Sequence, residues 1–238
     1  YSSELLPALL NYYDITIISD GTGVPDWWAP LDIPIRRPNW LLENSRLFDR
    51  IVYHFGNSEF HSYMFRLLMA IPGVVVLHDF FLSGILYHME KTGSNRAFTD
   101  ALYAAHGYAP LAAMPGHLWD VIEKYPANYS VLENALGTVV HSQSARELAN
   151  EYYGADVANS LYVVPLAQDR ERMPDREEAR AALGVRPDEL LFCSFGIVHD
   201  RKRAKELVLA WRQLLRLLRG ARSPRPRLFF VGFAEEQY

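Results

Sequence analysis

A single cysteine, Cys193, is all that the 238-residue chain contains. No intrachain disulfide can form, and this scarcity points to a reducing compartment. Cys193 lies inside an apolar run and reads as a small buried core residue. An excess of positive charge is missing too: 24 Lys and Arg stand against 28 Asp and Glu, a net charge of −4. That argues against nucleic acid as a partner. No apolar run is long enough to cross a bilayer. There is no signal-peptide layout, but no initiating methionine either. Tyr1 opens directly into a helical stretch, which predicts that a preceding piece is absent.

Several catalytic patterns are absent as well. There is no G-x-S-x-G elbow, which excludes the usual α/β-hydrolase arrangement. There is no P-loop. His54 and His61 are too far apart for a zinc-binding helix of the H-E-x-x-H kind, and no cysteine cluster exists, so no metal site is expected. Glu177-Glu178 and Glu235-Glu236 are adjacent pairs on exposed segments, not spaced like catalytic carboxylates. Short-period repeats and low-complexity segments are lacking.

What is present suits a globular protein with a real core: half of the residues are apolar. The length allows one large or two modest domains. Residues 3–12 read as an amphipathic helix, with Pro7 tolerable only in its first turn. Strands are expected at 14–19, 49–55, 74–77, 138–141, 161–164, 191–195 and 227–232. Val74-Val75-Val76-Leu77 is the clearest, an apolar and mostly β-branched run that fits a central, fully buried strand. Helices are expected at 39–48, 58–71, from 80 to 89, and across 97–125 with breaks near Gly107 and Pro115. Others are expected at 144–153, 179–183 and 204–218. Asp20-Gly21-Thr22-Gly23 reads as a plain turn. Residues 24–38 read as an irregular excursion carrying Trp27-Trp28 and Arg36-Arg37, and residues 168–178 as a linker. Strand and helix alternate on both sides of that linker, which predicts parallel sheets with helices on both faces.

Ligands of open parallel sheets sit beyond the carboxyl ends of the strands. The residues there are Gly56-Asn57, His78-Asp79, His141-Ser142, and Gly196 with Arg201-Lys202. His78 follows the central strand directly. The stretch from Leu191 to Trp211 orders strand, glycine turn, basic loop and helix, with Asp200 as the expected N-cap. Leu207, Trp211, Leu214, Leu215 and Leu218 form its apolar face. That order suits an anion, which helix N–H groups and a lysine both attract.

With these pieces assembled, the chain resembles the retaining GT-B glycosyltransferases of family four. The resemblance is carried by Tyr1 to Leu9 (Y-S-S-E-L-L-P-A-L), Tyr53 to His61 (Y-H-F-G-N-S-E-F-H) and Pro72 to Leu82 (P-G-V-V-V-L-H-D-F-F-L). Gly137 to Glu147 (G-T-V-V-H-S-Q-S-A-R-E), Val163 to Ala167 (V-V-P-L-A) and Phe195 to Arg203 (F-G-I-V-H-D-R-K-R) complete it. The likeness implies an α/β chain of GT-B type, two Rossmann-like parallel-sheet domains with the second incomplete: 1–167 on the acceptor side, and 168–238 as linker and first part of a nucleotide-sugar domain. It implies transfer of a sugar, with retention, from a nucleotide-diphosphate sugar to a glycan, lipid-linked or other acceptor. By this resemblance His78 is the catalytic-site histidine near the reacting carbon. Gly196, Arg201, Lys202 and Arg203 bind the donor diphosphate, and Asn57, Asp79 and Ser142 line the substrate side. No cofactor or metal is expected, the donor being a substrate. The expected location is cytoplasmic, with peripheral contact at the inner membrane face, for which Trp27-Trp28 and Arg36-Arg37 are candidates. Many members carry an arginine where this chain has Ile197. A glycine loop ahead of Tyr1 and an acidic donor-domain motif beyond Tyr238 are also outside the chain. Two other readings fit the same residues: a GT-B epimerase or phosphorylase, and a non-catalytic sugar- or nucleotide-binding module.

Overall fold

The structure, a computed structural model, describes residues 2–21, 30–93, 96–166, 174–198, 202–220 and 224–233. Trp27, Trp28, Asp200 and Arg201 lie outside the described residues. The chain divides into two compact units, Tyr1–Gln168 and Asp169–Tyr238. It is an α/β protein built on parallel strands, as Rossmann-like domains are.

The first unit is organised by a four-stranded parallel sheet in the order β3-β4-β5-β6, formed by Val52–Phe55, Val74–Leu77, Gly137–Val140 and Leu161–Val163. The valine run forms an interior strand, with Val75, Val76 and Leu77 buried and Val74 half-buried. Parallel neighbours need long crossovers, and here they are helical. Helix α3 (Ser62–Ala70) joins β3 to β4. Helices α4 (Ser83–Thr92), α5 (Ala97–His106), α6 (Tyr108–Lys124) and α7 (Tyr129–Asn134) join β4 to β5. Helices α8 (Gln143–Tyr153) and α9 (Ala155–Ser160) join β5 to β6. Residues Pro115 to His117 interrupt α6 with non-helical backbone, as the Pro-Gly pair predicts. Helices α7 and α9 lie where no helix is expected from sequence; each is only 6 residues long, too short to show a hydrophobic period.

The core is fed from one face of this sheet. Tyr53, Phe55, Val75, Leu77, Val140 and Leu161 alternate into a single buried cluster with Leu67, Leu68, Leu82, Ile85, Phe98, Leu102 and Ala149 from the helices. Of the alternate residues, Val52, Val74, Val139 and Tyr162 stand outside that cluster and are half-buried or exposed, and Val76 stands outside it but is buried. The described helices from α3 to α9 all send residues into this cluster. A fully buried side chain of this size contributes about 1.5–3 kcal/mol.

Ahead of this sheet, helix α1 (Ser2–Leu9) carries Pro7 in its second turn rather than the first. Strands β1 (Ile17–Ile18) and β2 (Ile35–Arg36) pair in parallel. Strand β2 falls in the segment expected to be irregular. Two residues are too short a run to stand out among prolines, and its order comes from its partner. The Arg37 guanidinium donates to the carbonyl oxygens of Asp20 and Gly21 at 2.6 and 3.1 Å. The Arg36 guanidinium lies 5.6 Å from the centre of the Trp40 ring. Helix α2 (Pro38–Asn44) follows, with Pro38 at its first position.

The second unit contains helix α10 (Arg176–Ala182), strand β7 (Glu189–Phe195), helix α11 (Ala204–Leu217) and strand β8 (Arg225–Val231), with β7 and β8 parallel in seven-residue register. Helix α10 begins three residues before the expected start because Asp175 caps it, accepting from the amides of Glu177 and Glu178. On α11 the covered face is Leu207, Trp211, Leu214 and Leu218, with Trp211 edge-on to Phe192 at 5.5 Å. Leu215, expected on that face, is 42% exposed. Cys193 is exposed, against the expectation of a buried core residue. Strand β7 has a single strand neighbour among the described residues, so burial is incomplete along its length.

Candidate functional site

The strand ends of the first unit collect histidines. His54 is the third residue of β3, in register with Val76 of β4. His78 follows β4, its amide donating to the Phe55 carbonyl at 2.8 Å. His141 follows β5. Alternation points all three away from the buried face. Their rings form a row: His54 Nδ1 lies 3.0 Å from His78 Nε2, and His78 Nδ1 lies 3.0 Å from His141 Nε2. His141 Nδ1 then meets the Val164 carbonyl oxygen at 2.9 Å. The rings of His54 and His78 are stacked at 5.3 Å, and those of His78 and His141 are tilted at 4.9 Å.

Burial sets the charge state of this row. Desolvation, reinforced by repulsion from His78, His141 and His61, pushes the His54 pKa down to about 4. Desolvation and the neighbouring His141 and His61 also lower the His78 pKa, with Asp79 partly opposing them. At neutral pH His54 is therefore an uncharged imidazole with one donor and one acceptor.

The loops around the row are fastened to one another. Asp79 Oδ2 accepts from the Asn57 amide at 2.8 Å. Asn57 Oδ1 accepts from the Ile85 amide at 2.8 Å, so this side chain caps the first turn of α4 from a different loop. Gly56 and Gly84 leave room for this: a Cβ on Gly56 would stand 2.8 Å from His61 Cε1, and one on Gly84 would stand 2.9 Å from the Asn57 amide. His61 Nδ1 donates to the Gly56 oxygen at 2.9 Å. The segment after His78-Asp79 is held from below by buried Asn128, which donates to the Phe80 oxygen at 2.5 Å and accepts from the Tyr153 hydroxyl at 2.6 Å. Ser83 Oγ donates to the Tyr125 oxygen. Ser142 is the N-cap of α8, accepting from the Ala145 amide at 3.3 Å.

Thus His78, Asp79 and Asn57 come together, and Ser142 stands next in chain to His141. Asn57, Asp79 and Ser142 each hold backbone amides, and both ring nitrogens of His78 are engaged by neighbouring histidines. The sequence reading places His141 at a strand end but assigns it no role, and it weighs His54 only against zinc. The available signal was that each of three successive strands carries a histidine in its last residue but one or just beyond its end. Among the described residues, no group of His, Cys, Asp and Glu is arranged to hold a metal ion.

In the second unit the strand-end residues are Gly196 after β7 and Gly232 after β8. The β7–β8 ladder continues past both strands, with Gly196 N donating to Val231 O at 3.0 Å and Val198 N to Phe233 O at 2.8 Å. Gly196 has φ 107° and Gly232 has φ 154°, and a Cβ on Gly232 would fall 2.1 Å from the Gly196 oxygen. Only glycine permits that approach. Lys202 is exposed, and its Cε lies 4.0 Å from where a Gly196 Cβ would stand. Arg203 occupies the N-cap position of α11 in left-handed backbone without a side-chain cap, and its guanidinium pairs with Glu206 at 3.3 Å. The structure thus brings Gly196 and Lys202 together ahead of α11. Gly232, a residue the sequence reading treated only as a strand end, is what permits the close pairing there.

Among the described residues, no helix is long and apolar enough to cross a membrane. Comparison with known proteins found no family model that matches the chain and no matching curated protein. What fold and site define is therefore the class: a protein of parallel α/β units with polar constellations at its strand ends.

Proposed function

We propose that the chain is a retaining glycosyltransferase of GT-B type that uses a nucleotide-diphosphate sugar. The observation that carries this reading is the β7–Gly196–Lys202–α11 arrangement. A strand-end glycine with a lysine folded beside it precedes the N-terminus of a 14-residue helix. A diphosphate there meets backbone N–H groups, the helix dipole and a full positive charge. The same groups stabilise the negative charge that develops on a leaving nucleoside diphosphate. Lys202 carries the charge, Gly196 admits the phosphate to the backbone, and Arg203 assists with Arg201. In the first unit His78 belongs to the acceptor-side strand ends, as the middle of a histidine row. The acceptor is a carbohydrate or a lipid-linked glycan, and the protein works in the cytoplasm with peripheral contact at the inner membrane face. No cofactor takes part beyond the donor itself.

A second reading is a non-catalytic sugar- or nucleotide-binding module. It is favoured by the engagement of both ring nitrogens of His78 and by the capping duties of Asn57, Asp79 and Ser142. The test is to titrate the chain with UDP-, GDP- and ADP-sugars by calorimetry and to assay release of the nucleoside diphosphate. Binding with release supports the transferase, binding without release supports the module, and no binding to any of them contradicts both.

A further inference from the structure

Helix α11 presents two different faces. Leu207, Trp211, Leu214 and Leu218 are covered, with Trp211 against Phe192. On the opposite side Lys205, Leu209, Arg212 and Arg216 recur at i, i+4, i+7 and i+11, which sets them in one line along the helix. All four are exposed, Leu209 to 55%, and Val208 and Leu215 flank the line at 49% and 42%. Arg219 follows directly after the helix and is exposed too. Among the described residues, no carboxylate pairs with Lys205, Arg212, Arg216 or Arg219. The one acidic residue of α11, Glu206, stands off this line and pairs with Arg203 at 3.3 Å.

We infer that this outer face of α11 docks on a membrane that carries anionic phospholipid. A helix face that is merely solvated mixes charges of both signs and carries few large apolar groups. This face has cations only, with a leucine set between them and two further apolar side chains beside them. A lipid surface answers both. Headgroup phosphate oxygens accept from the guanidinium and ammonium groups, and the boundary of the acyl layer takes up Val208, Leu209 and Leu215. The stems of the arginines lie along that apolar layer while their charged ends reach the headgroups. An acidic polypeptide answers the cations, whereas a bilayer answers cations and apolar side chains along one flat line. The inference supplies a surface for the membrane contact proposed above and rests on that part of the reading alone; it requires no nucleotide sugar.

The experiment is flotation of the intact chain with two kinds of vesicle, phosphatidylcholine alone and phosphatidylcholine with about one third phosphatidylglycerol, with a thermal melt of every variant. Wild type should float with the anionic vesicles and not with the neutral ones, and added salt should release it. A base near an anionic surface is worth about fivefold in partitioning, so Arg212→Ala with Arg216→Ala should weaken binding by about ten- to thirtyfold. Arg46→Ala with Arg50→Ala removes the same charge from exposed positions in the first unit and should leave binding unchanged. Leu209→Asn keeps every charge and should still weaken binding by about tenfold, with an unaltered salt dependence. Wild type that floats with neither vesicle, or equally with both, would overturn the inference. Equal losses in the two arginine pairs would overturn it as well, by showing attraction to overall charge. Binding of soluble poly-glutamate without flotation would give the face to an acidic polypeptide instead. If the α11 arginine variant melts early, the lipid and salt dependence of the wild type and of Leu209→Asn decide the matter. Titration with nucleotide sugars is a separate measurement, so the donor reading stands or falls without this one.

Discussion

Around His78 in the first unit, every candidate group is bound to another part of the same unit. The ring is held between two histidines, Asn57 caps a helix, Asp79 holds a loop amide and Ser142 caps another helix. Around Lys202 in the second unit the arrangement is the reverse: Lys202, Arg203, Gly196 and Ile197 are all exposed, on a sheet whose Phe192 and Phe195 are themselves 42% and 73% exposed. The contrast separates two ways of building a site. In one, geometry is fixed in advance by a packed core and mutual hydrogen bonds. In the other, exposed charged side chains beside a strand-end glycine are offered to whatever binds.

The comparison is broken most strongly through the cores. Phe55, the last residue of β3, is fully buried, and Phe55→Ala should cost about 3–5 kcal/mol. Phe192→Ala should cost less than half of that, because much of its ring is already in solvent. Equilibrium unfolding in urea measures both, and equal losses would contradict the contrast. Gly232→Ala comes next. A methyl group at 2.1 Å from the Gly196 oxygen, on backbone at φ 154°, should cost about 2–4 kcal/mol. Hydrogen exchange should rise in β7 and β8 and not in β3–β6; unchanged protection of β7 and β8 would show that the close approach is dispensable.

The histidine row sharpens the comparison through pH. The His54 pKa is depressed by burial first and by His78, His141 and His61 next, while the unfolded chain titrates near the ordinary value of about 6.5. The unfolded state thus binds more protons between pH 6.5 and 4. Stability present above pH 6.5 is lost as pH falls toward 4, by roughly 2–3 kcal/mol. His54→Phe should flatten this slope, and melts between pH 7 and 4.5 would reveal an unaltered slope if the assignment to His54 is wrong.

How much of this was legible in the sequence depended on whether the determining contacts were local. The Val74–Leu77 strand was legible because four apolar residues in a row specify burial by themselves. The parallel strands, the break in α6 and the covered stripe of α11 were likewise written in local pattern and turn chemistry. Strand β2, two residues long, owes its existence to β1 and left no periodic trace. Helix α10 starts early because of a cap, and Cys193 is exposed because burial is decided by neighbours, not by residue type. In the site, the position of His78 at the end of β4 followed from the strand before it. The row followed from register: His54 and Val76 stand opposite each other only once β3 and β4 are paired. A reading that takes histidines singly cannot see any of this.

The most direct measurement returns to the second unit. Wild type and Lys202→Ala should be titrated by calorimetry with whichever of UDP-, GDP- or ADP-glucose binds most tightly, with a thermal melt of each. A charge-assisted contact to the diphosphate is worth about 1.5–3 kcal/mol, so affinity should fall by about ten- to a hundredfold. The melt should stay unchanged, because Lys202 is exposed. Added salt should weaken wild-type binding more than that of the variant. Equal affinity of the two proteins, with equal melts, would contradict the assignment of the β7–α11 turn as a diphosphate site.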